Sequence, residues 1–309
     1  MKVCYFGSGN FSKMVLENIL KSGGNFSIDL VVTKSDKEKG RGKNLLPTPV
    51  KELALLHGID VCDREDIKSP YFADFLAQKK FDIFVVCDYG KIIPKSVFSI
   101  PPLGSLGVHP SLLPKYRGPS PIHAAILSGD KKTGTTLFFL NENMDAGDIV
   151  LQKEIDISED DDYISLSEKL AILSSQCVIE FLSSPNSFVP KPQDHSSATF
   201  TKMVTKEDGR IDWQDSALNI SRKVRAYIAW PKAWCTFRGK NIKVLKVKAQ
   251  NSHISNKPGE VIKIDNEGIH VITGDGIIVL VELHPENSKV MSARDFVNGY
   301  RVKVGDVFE

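Results

Sequence analysis

FDIFVVC, residues 81–87, has one charged residue in seven, mixes aromatic with β-branched side chains, and runs straight into the loop DYGKIIP at 88–94. A continuous apolar run of that length, bounded by a glycine-containing loop, reads as a strand buried on both faces, the kind that makes parallel sheets. The residues before it repeat the pattern. VCYF at 3–6 is strand-like; GSG at 7–9 follows, then a stretch in which Phe11, Met14, Val15 and Ile19 recur at helical spacing. IDLVVT at 28–33 reads as a second strand, and Val50 to His57 as a helix closed by Gly58. Strand alternating with helix predicts an α/β, Rossmann-like domain with a mainly parallel sheet.

The glycines at 7 and 9 invite a dinucleotide reading, but Ser12 stands where the last glycine of that fingerprint belongs, and no convincing ribose-binding acid follows. They read instead as a tight strand-to-helix turn without a nicotinamide cofactor.

Further along, Leu106 and Val108 look like the end of another strand, so His109 emerges where that strand opens into HPSLLPKYRG, residues 109–118. This is a proline-bracketed turn with an exposed arginine, Arg117. Thr135 to Leu140 (TTLFFL) reads as the next strand, Pro121 to Leu127 as a helix between them, and Asp145 falls in the loop NMDAGD at 143–148. Open α/β sheets take ligands at that edge, so His109 and Asp145 can meet there. An imidazole oriented by a carboxylate can donate to an oxygen that turns negative during attack on a carbonyl. The plainer reading is that His109 caps a strand and Asp145 opens a turn.

The chain has 309 residues, 41% hydrophobic and 25% charged, an ordinary globular composition with room for two domains. The five cysteines, Cys4, Cys62, Cys87, Cys177 and Cys235, are odd in number and often embedded in apolar runs. They read as reduced core thiols, which argues against a disulfide framework or a zinc site. With neither a signal-peptide pattern nor a membrane-spanning run, the expected compartment is the cytoplasm. A formal charge of +2 hides an asymmetry: from Arg222 to Lys257 every charged residue is Lys or Arg. That stretch fits a polyanion binder or a solvated lysine face.

A helix is expected around Ser165 to Leu182, followed by SSPNSFVPKPQDHSS at 183–197, which reads as a connector. Beyond Thr205 come one helix near Ala217 to Tyr227 and then short strands, NIKVLKVKA, GEVIKI, GIHVIT and GIIVLVEL. Short strands divided by Gly, Asn and Asp turns predict a small β-barrel of the oligonucleotide-binding (OB) type. The expected domains are 1–184, a linker 185–206, and 207–309.

GVHPSLLPKYRG at 107–118 with DAG at 145–147 resembles the signature of folate-dependent formyltransferases, Asn-x-His-x-Ser-Leu-Leu-Pro-x-x-Arg-Gly followed downstream by Asp-x-Gly. The basic loop KSDKEKGRGKNLLPTPVKELALLHGI at 34–59, VTKEDGRIDW at 204–213, VRAYIAWPKAW at 224–234 and MSARDFVNGYRVKVGDVF at 291–308 extend the resemblance, over nearly the full length, to the methionyl-tRNA formyltransferase family. That resemblance implies transfer of a formyl group from 10-formyltetrahydrofolate to the α-amino group of methionine on initiator methionyl-tRNA. His109 and Asp145 would be the catalytic pair, no metal would be needed, and the enzyme would be a monomer. It implies folate contacts at Tyr89, Gly90 and Ile92, at Ser111, Leu112, Leu113 and Pro114, and at Asn141. It implies nucleic-acid contacts at Arg41 and Lys43 of the basic loop, and the basic stretch adds Lys223, Arg225, Lys243 and Lys246 as candidate contacts. Tyr89 could equally be core, and Ser111 and Arg117 read as shaping the loop.

Gly107 departs from the pattern, because it stands where the family has asparagine, whose amide helps bind the formyl oxygen. A backbone amide, a water or another side chain supplies that bond, or the enzyme is slow, or the glycine permits a different backbone path. The alternatives to the main reading are a formyltransferase for another amine, such as an amino sugar or a glycinamide nucleotide, and a non-catalytic tRNA- or folate-binding protein.

Overall fold

The structure, a computed structural model, describes residues 1–39, 44–252 and 257–309. The chain forms two compact units, Met1–Pro121 with Lys132–Asp156 and Ser167–Lys202, and Ile122–Lys131 with Ile157–Leu166 and Met203–Glu309.

In the first unit the elements run β1 (Lys2–Gly7), α1 (Asn10–Ser22), β2 (Ser27–Val32), β3 (Lys37–Lys39), β4 (Asn44–Leu46), α2 (Pro49–Leu56), β5 (Asp60–Cys62), α3 (Pro70–Lys79), β6 (Ile83–Cys87), α4 (Lys95–Phe98) and β7 (Ser105–His109). After α5 (Pro121–Ser128), which from Ile122 on belongs to the second unit, come β8 (Lys132–Phe139), β9 (Ile149–Asp156) and α6 (Tyr163–Ser183), of which the part from Ser167 on belongs to the first. Seven strands form one sheet in the order β5-β2-β1-β6-β7-β8-β9. The first five are parallel, whereas β8 and β9 add antiparallel to the β7 edge. The central strands are almost wholly buried, as in a sheet covered on both faces, whereas β9 at the rim mostly alternates half-buried with exposed residues. All five cysteines are buried and unpaired.

Local chemistry explains the helix ends. Thr48 caps α2 by accepting from Lys51 N with Pro49 in the first turn, and Ser69 caps α3 with Pro70 in the same role. Gly58, at φ 67, follows α2 as expected.

In the second unit α7 (Ala217–Ala226) precedes β10 (Ala233–Phe237), β11 (Lys240–Gln250), β12 (Val261–Ile264), β13 (Ile269–Ile272), β14 (Ile277–Pro285) and β15 (Met291–Ser292), and α8 (Ala293–Tyr300) follows. The antiparallel order is β10-β11-β14-β13-β12, with β15 on β14. The end of the chain bridges the two edge strands. Phe308 pairs with Phe237 and Val307 with Glu260, which covers edges that would otherwise invite pairing with another chain. The core inside is Trp213, Phe237, Phe296 and Phe308 among aliphatic strand residues. Among the described residues no helix is long and apolar enough to cross a membrane.

The segment 185–206, expected to be a linker, makes specific bonds within the first unit up to Lys202. Thr199 O accepts from Arg117 N at 2.9 Å, and Thr201 N donates to Arg117 O at 2.8 Å.

Candidate active site

His109 is the last residue of β7, and the loop after it is tied down on both sides. Ser111 N donates to His109 O at 2.9 Å, Ser111 Oγ to Lys115 O at 2.7 Å, and Leu113 N to Thr136 Oγ1 at 3.1 Å. Gln152 of β9 donates to both Leu113 O and Thr136 Oγ1. A loop held by β8 and β9 presents a rigid rim.

The imidazole and the carboxylate converge. His109 Nδ1 lies 3.7 Å from Asp145 Oδ2, and His109 Nε2 lies 2.8 Å from Tyr116 O. A carbonyl can only accept, so Nε2 carries a hydrogen. In the neutral ring Nδ1 would then turn a lone pair toward the carboxylate, and only the imidazolium turns a proton toward it. The carboxylate is thus placed to orient the ring. Asp145 takes a left-handed backbone, φ 51, and its Oδ2 also accepts from Gly118 N at 2.8 Å, which locks the carboxylate to the signature loop.

Arg117 is not exposed as expected; it is 5% accessible. Its guanidinium donates to Gln193 Oε1 at 2.6 and 3.2 Å and reaches His195 Nδ1 at 2.9 Å. Gln193 in turn donates from Nε2 to Asp145 O at 3.0 Å and Gly147 O at 2.7 Å. One glutamine thus joins the loops that carry His109 and Asp145.

Gly107 sits in regular strand, paired with Val86 on one side and Phe138 on the other, so the backbone takes no special path there. The ring of Phe138 covers it. A Cβ at 107 would lie 2.4 Å from Phe138 Cζ and 3.1 Å from Leu140 Cδ1.

The residues expected to contact folate divide by exposure. Gly90, Ile92 and Asn141 are exposed, Leu112 and Pro114 half-buried, and Ser111 and Leu113 buried in the loop. Tyr89 is core: its ring packs edge-on against Phe6 at 5.5 Å, its hydroxyl has no partner among the described residues, and its carbonyl accepts from Ser8 Oγ at 3.2 Å. Lys95 and Glu142, 2.8 Å apart, clasp the loops that hold Ile92 and Asn141.

Of the expected nucleic-acid contacts, Arg41 and Lys43 lie outside the described residues. The base of their loop is pinned by Lys51, which bonds Asp36 at 2.7 Å and Asp63 at 2.8 Å. In the second unit Lys223 donates to Arg210 O at 2.8 Å and Arg225 to Asp161 O at 2.5 Å, so both are engaged with the protein itself. Lys243 is half-buried on β11, and Lys246 is exposed opposite Glu282.

Asp265, Glu267 and His270 are close enough to share a cation, yet Asp265 already accepts from His270, Glu267 N and Lys263. Sequence reading missed Gln193, Phe138 and Asp88. Enclosure raises the Asp88 carboxyl to about 6, opposed by the Lys34 ammonium.

Comparison with known proteins fits this site. Residues 1–182 match the formyl transferase family, and residues 203–301 match the formyl transferase C-terminal domain, so fold and site together define a formyltransferase. The chain is 40% identical to the methionyl-tRNA formyltransferase of Sulfurihydrogenibium sp. and 39% identical to that of Dictyoglomus thermophilum, each covering 100% of both proteins. It belongs to the methionyl-tRNA formyltransferase family.

Two solved structures share the fold. HypX from Aquifex aeolicus in complex with tetrahydrofolic acid has a TM-score of 0.64 at 20% identity, covering 99% of this chain and 48% of that one. The N-formyltransferase from Helicobacter canadensis, with folinic acid and dTDP-3-aminofucose, has a TM-score of 0.66 at 19% identity over 91% and 99%.

Proposed function

We propose that this enzyme transfers the formyl group of 10-formyltetrahydrofolate to the α-amino group of methionine esterified to initiator tRNA. Full-length identity to methionyl-tRNA formyltransferases supports the reaction, and the single observation that carries the mechanism is the His109–Asp145 pair, 3.7 Å apart at the tip of β7.

In this reading His109 swings a ring N–H from the Tyr116 carbonyl onto the formyl oxygen as the amine attacks; such bonds often form only in the complex. That donor is worth about 3–4 kcal/mol of barrier. Asp145 fixes the imidazole, stabilises its protonated form and assists the proton released as the C–N bond forms, directly or through water. The exposed loop residues Gly90, Ile92 and Asn141, with Leu112 and Pro114, would hold the folate, and Arg41, Lys43 and Lys246 the tRNA. Five unpaired thiols support a cytoplasmic setting.

The test is transfer of labelled formyl to charged initiator tRNA, with deacylated tRNA binding measured on the same sample. Labelled N-formylmethionyl-tRNA is the expected product; binding without turnover would overturn the proposal.

A further inference from the structure

Asp88 is the chemically capable group at the strand tips that the mechanism leaves unused. It follows Cys87, which pairs in register with Gly7 of β1 and with Val108 of β7. Ser8, Asp88 and His109 therefore follow the last residues that these three adjacent strands pair with one another, and the strands lie about 5 Å apart. The sheet turns there, β1 leading to β2 on one side while β6 and β7 lie on the other, and such a switch point is where open α/β sheets take ligands.

Asp88 leaves its strand at φ 46, and its carbonyl accepts from Ser8 N at 3.1 Å. Its carboxylate leans over Gly9, where a Cβ would lie 1.8 Å from Oδ2, so only glycine at that position admits it. The residue keeps part of its surface open to solvent while the neighbouring strand tips crowd its carboxylate, which among the described residues forms neither a hydrogen bond nor an ion pair. The charged and titratable groups around it are Lys34 beyond β2, Tyr5 and Cys87 beneath it, and His109 on the next tip. Lys91, on its own loop, is taken by Glu65 at 2.7 Å. A carboxylate one strand tip from His109 and without a donor is suited to a cation that arrives with the substrate, and the acceptor amine arrives as one.

We propose that Asp88 receives the α-ammonium group of the aminoacyl ester and takes its proton, so that a neutral amine meets the formyl carbon beside His109. The N–H bond breaks, the proton passes to a carboxylate oxygen, and the electron pair stays on nitrogen to form the new C–N bond. Asp88 then loses the proton to solvent. Enclosure lifts its carboxyl to about 6, closer to the ordinary α-amino value of about 8 than a free carboxyl would be. The inference rests on the transfer reading above.

Asp88→Asn keeps the size and tolerates the left-handed backbone. At about pH 6.5, where the amine is largely protonated, it should lower kcat/KM for charged tRNA about ten- to a hundredfold. The deficit should shrink at about pH 8.5, with the KM for folate unchanged. Gly9→Ala, which pushes the carboxylate aside without removing its charge, should show the same pattern. In binding without folate, Asp88→Asn should weaken charged tRNA at the lower pH and leave deacylated tRNA alone. A deficit equal at both pH values, no deficit, or a shifted folate KM would overturn the inference. Absence of turnover by the wild-type enzyme would instead sink the transfer reading itself.

Discussion

The ring of Phe138 fills the space beyond the Cα of Gly107: Phe138 Cζ would lie 2.4 Å from a Cβ placed there. The two residues face each other across β7 and β8, so glycine at 107 and phenylalanine at 138 are one choice rather than two. Gly107→Asn should therefore lower both stability, by about 1–3 kcal/mol of overpacking, and transfer. Adding Phe138→Ala should recover part of each. Thermal denaturation and initial rates on the three variants decide it, and a faster single variant would mean that Phe138 yields easily.

Gln193→Ala should cost more than its surface-like sequence context suggests. It strips the buried Arg117 guanidinium of its Gln193 bonds and unties Asp145 O and Gly147 O. We expect a loss of about 2–3 kcal/mol in unfolding free energy together with a fall in kcat, read by denaturant titration and steady-state kinetics. A variant with wild-type stability would show that His195 alone satisfies Arg117.

His123 predicts an acid-side loss of stability in the second unit. It stacks on Tyr163 at 4.2 Å and lies near Tyr227, and burial lowers its pKa to about 4. An unfolded imidazole titrates near about 6.5, so between those values the unfolded chain binds the extra proton. Stability is full above about 6.5 and declines as pH falls toward about 4, by about 3 kcal/mol. His123→Phe should flatten that window in pH-dependent unfolding, and an unchanged slope would assign the loss elsewhere.

Arg41→Ala should weaken transfer by raising the KM for tRNA while folate binding holds, because the basic loop is assigned to the nucleic acid. Varying salt provides the check: the variant should show a shallower dependence of tRNA affinity on ionic strength.

What was legible in the chain followed from periodicity and contiguous motifs. IFVVC and VCYF lie in β6 and β1 because an unbroken apolar run has few other places to go. His109 and Asp145 could be paired because each sits in a compact loop after a recognisable strand. β9 was not foreseen, since IVLQKEID at the sheet rim alternates with charged residues and lacks a buried strand's composition. Arg117 was expected to be exposed because its partner Gln193 is 76 residues away in a Ser- and Pro-rich stretch. Asp88 drew no reading of its own within DYGKIIP; only the strand register sets its strand tip next to that of His109. The role of Phe138 depends on a cross-strand contact that no local pattern encodes.

The central claim is that the imidazole of His109, held by Asp145, stabilises the formyl oxygen during attack. Single-turnover transfer by His109→Ala, with tRNA affinity measured in parallel, tests it most directly. The chemical step should slow by about a hundred- to a thousandfold while affinity for charged tRNA stays at the wild-type value. A wild-type rate, or equal loss of rate and affinity, would contradict the account and leave His109 a structural residue.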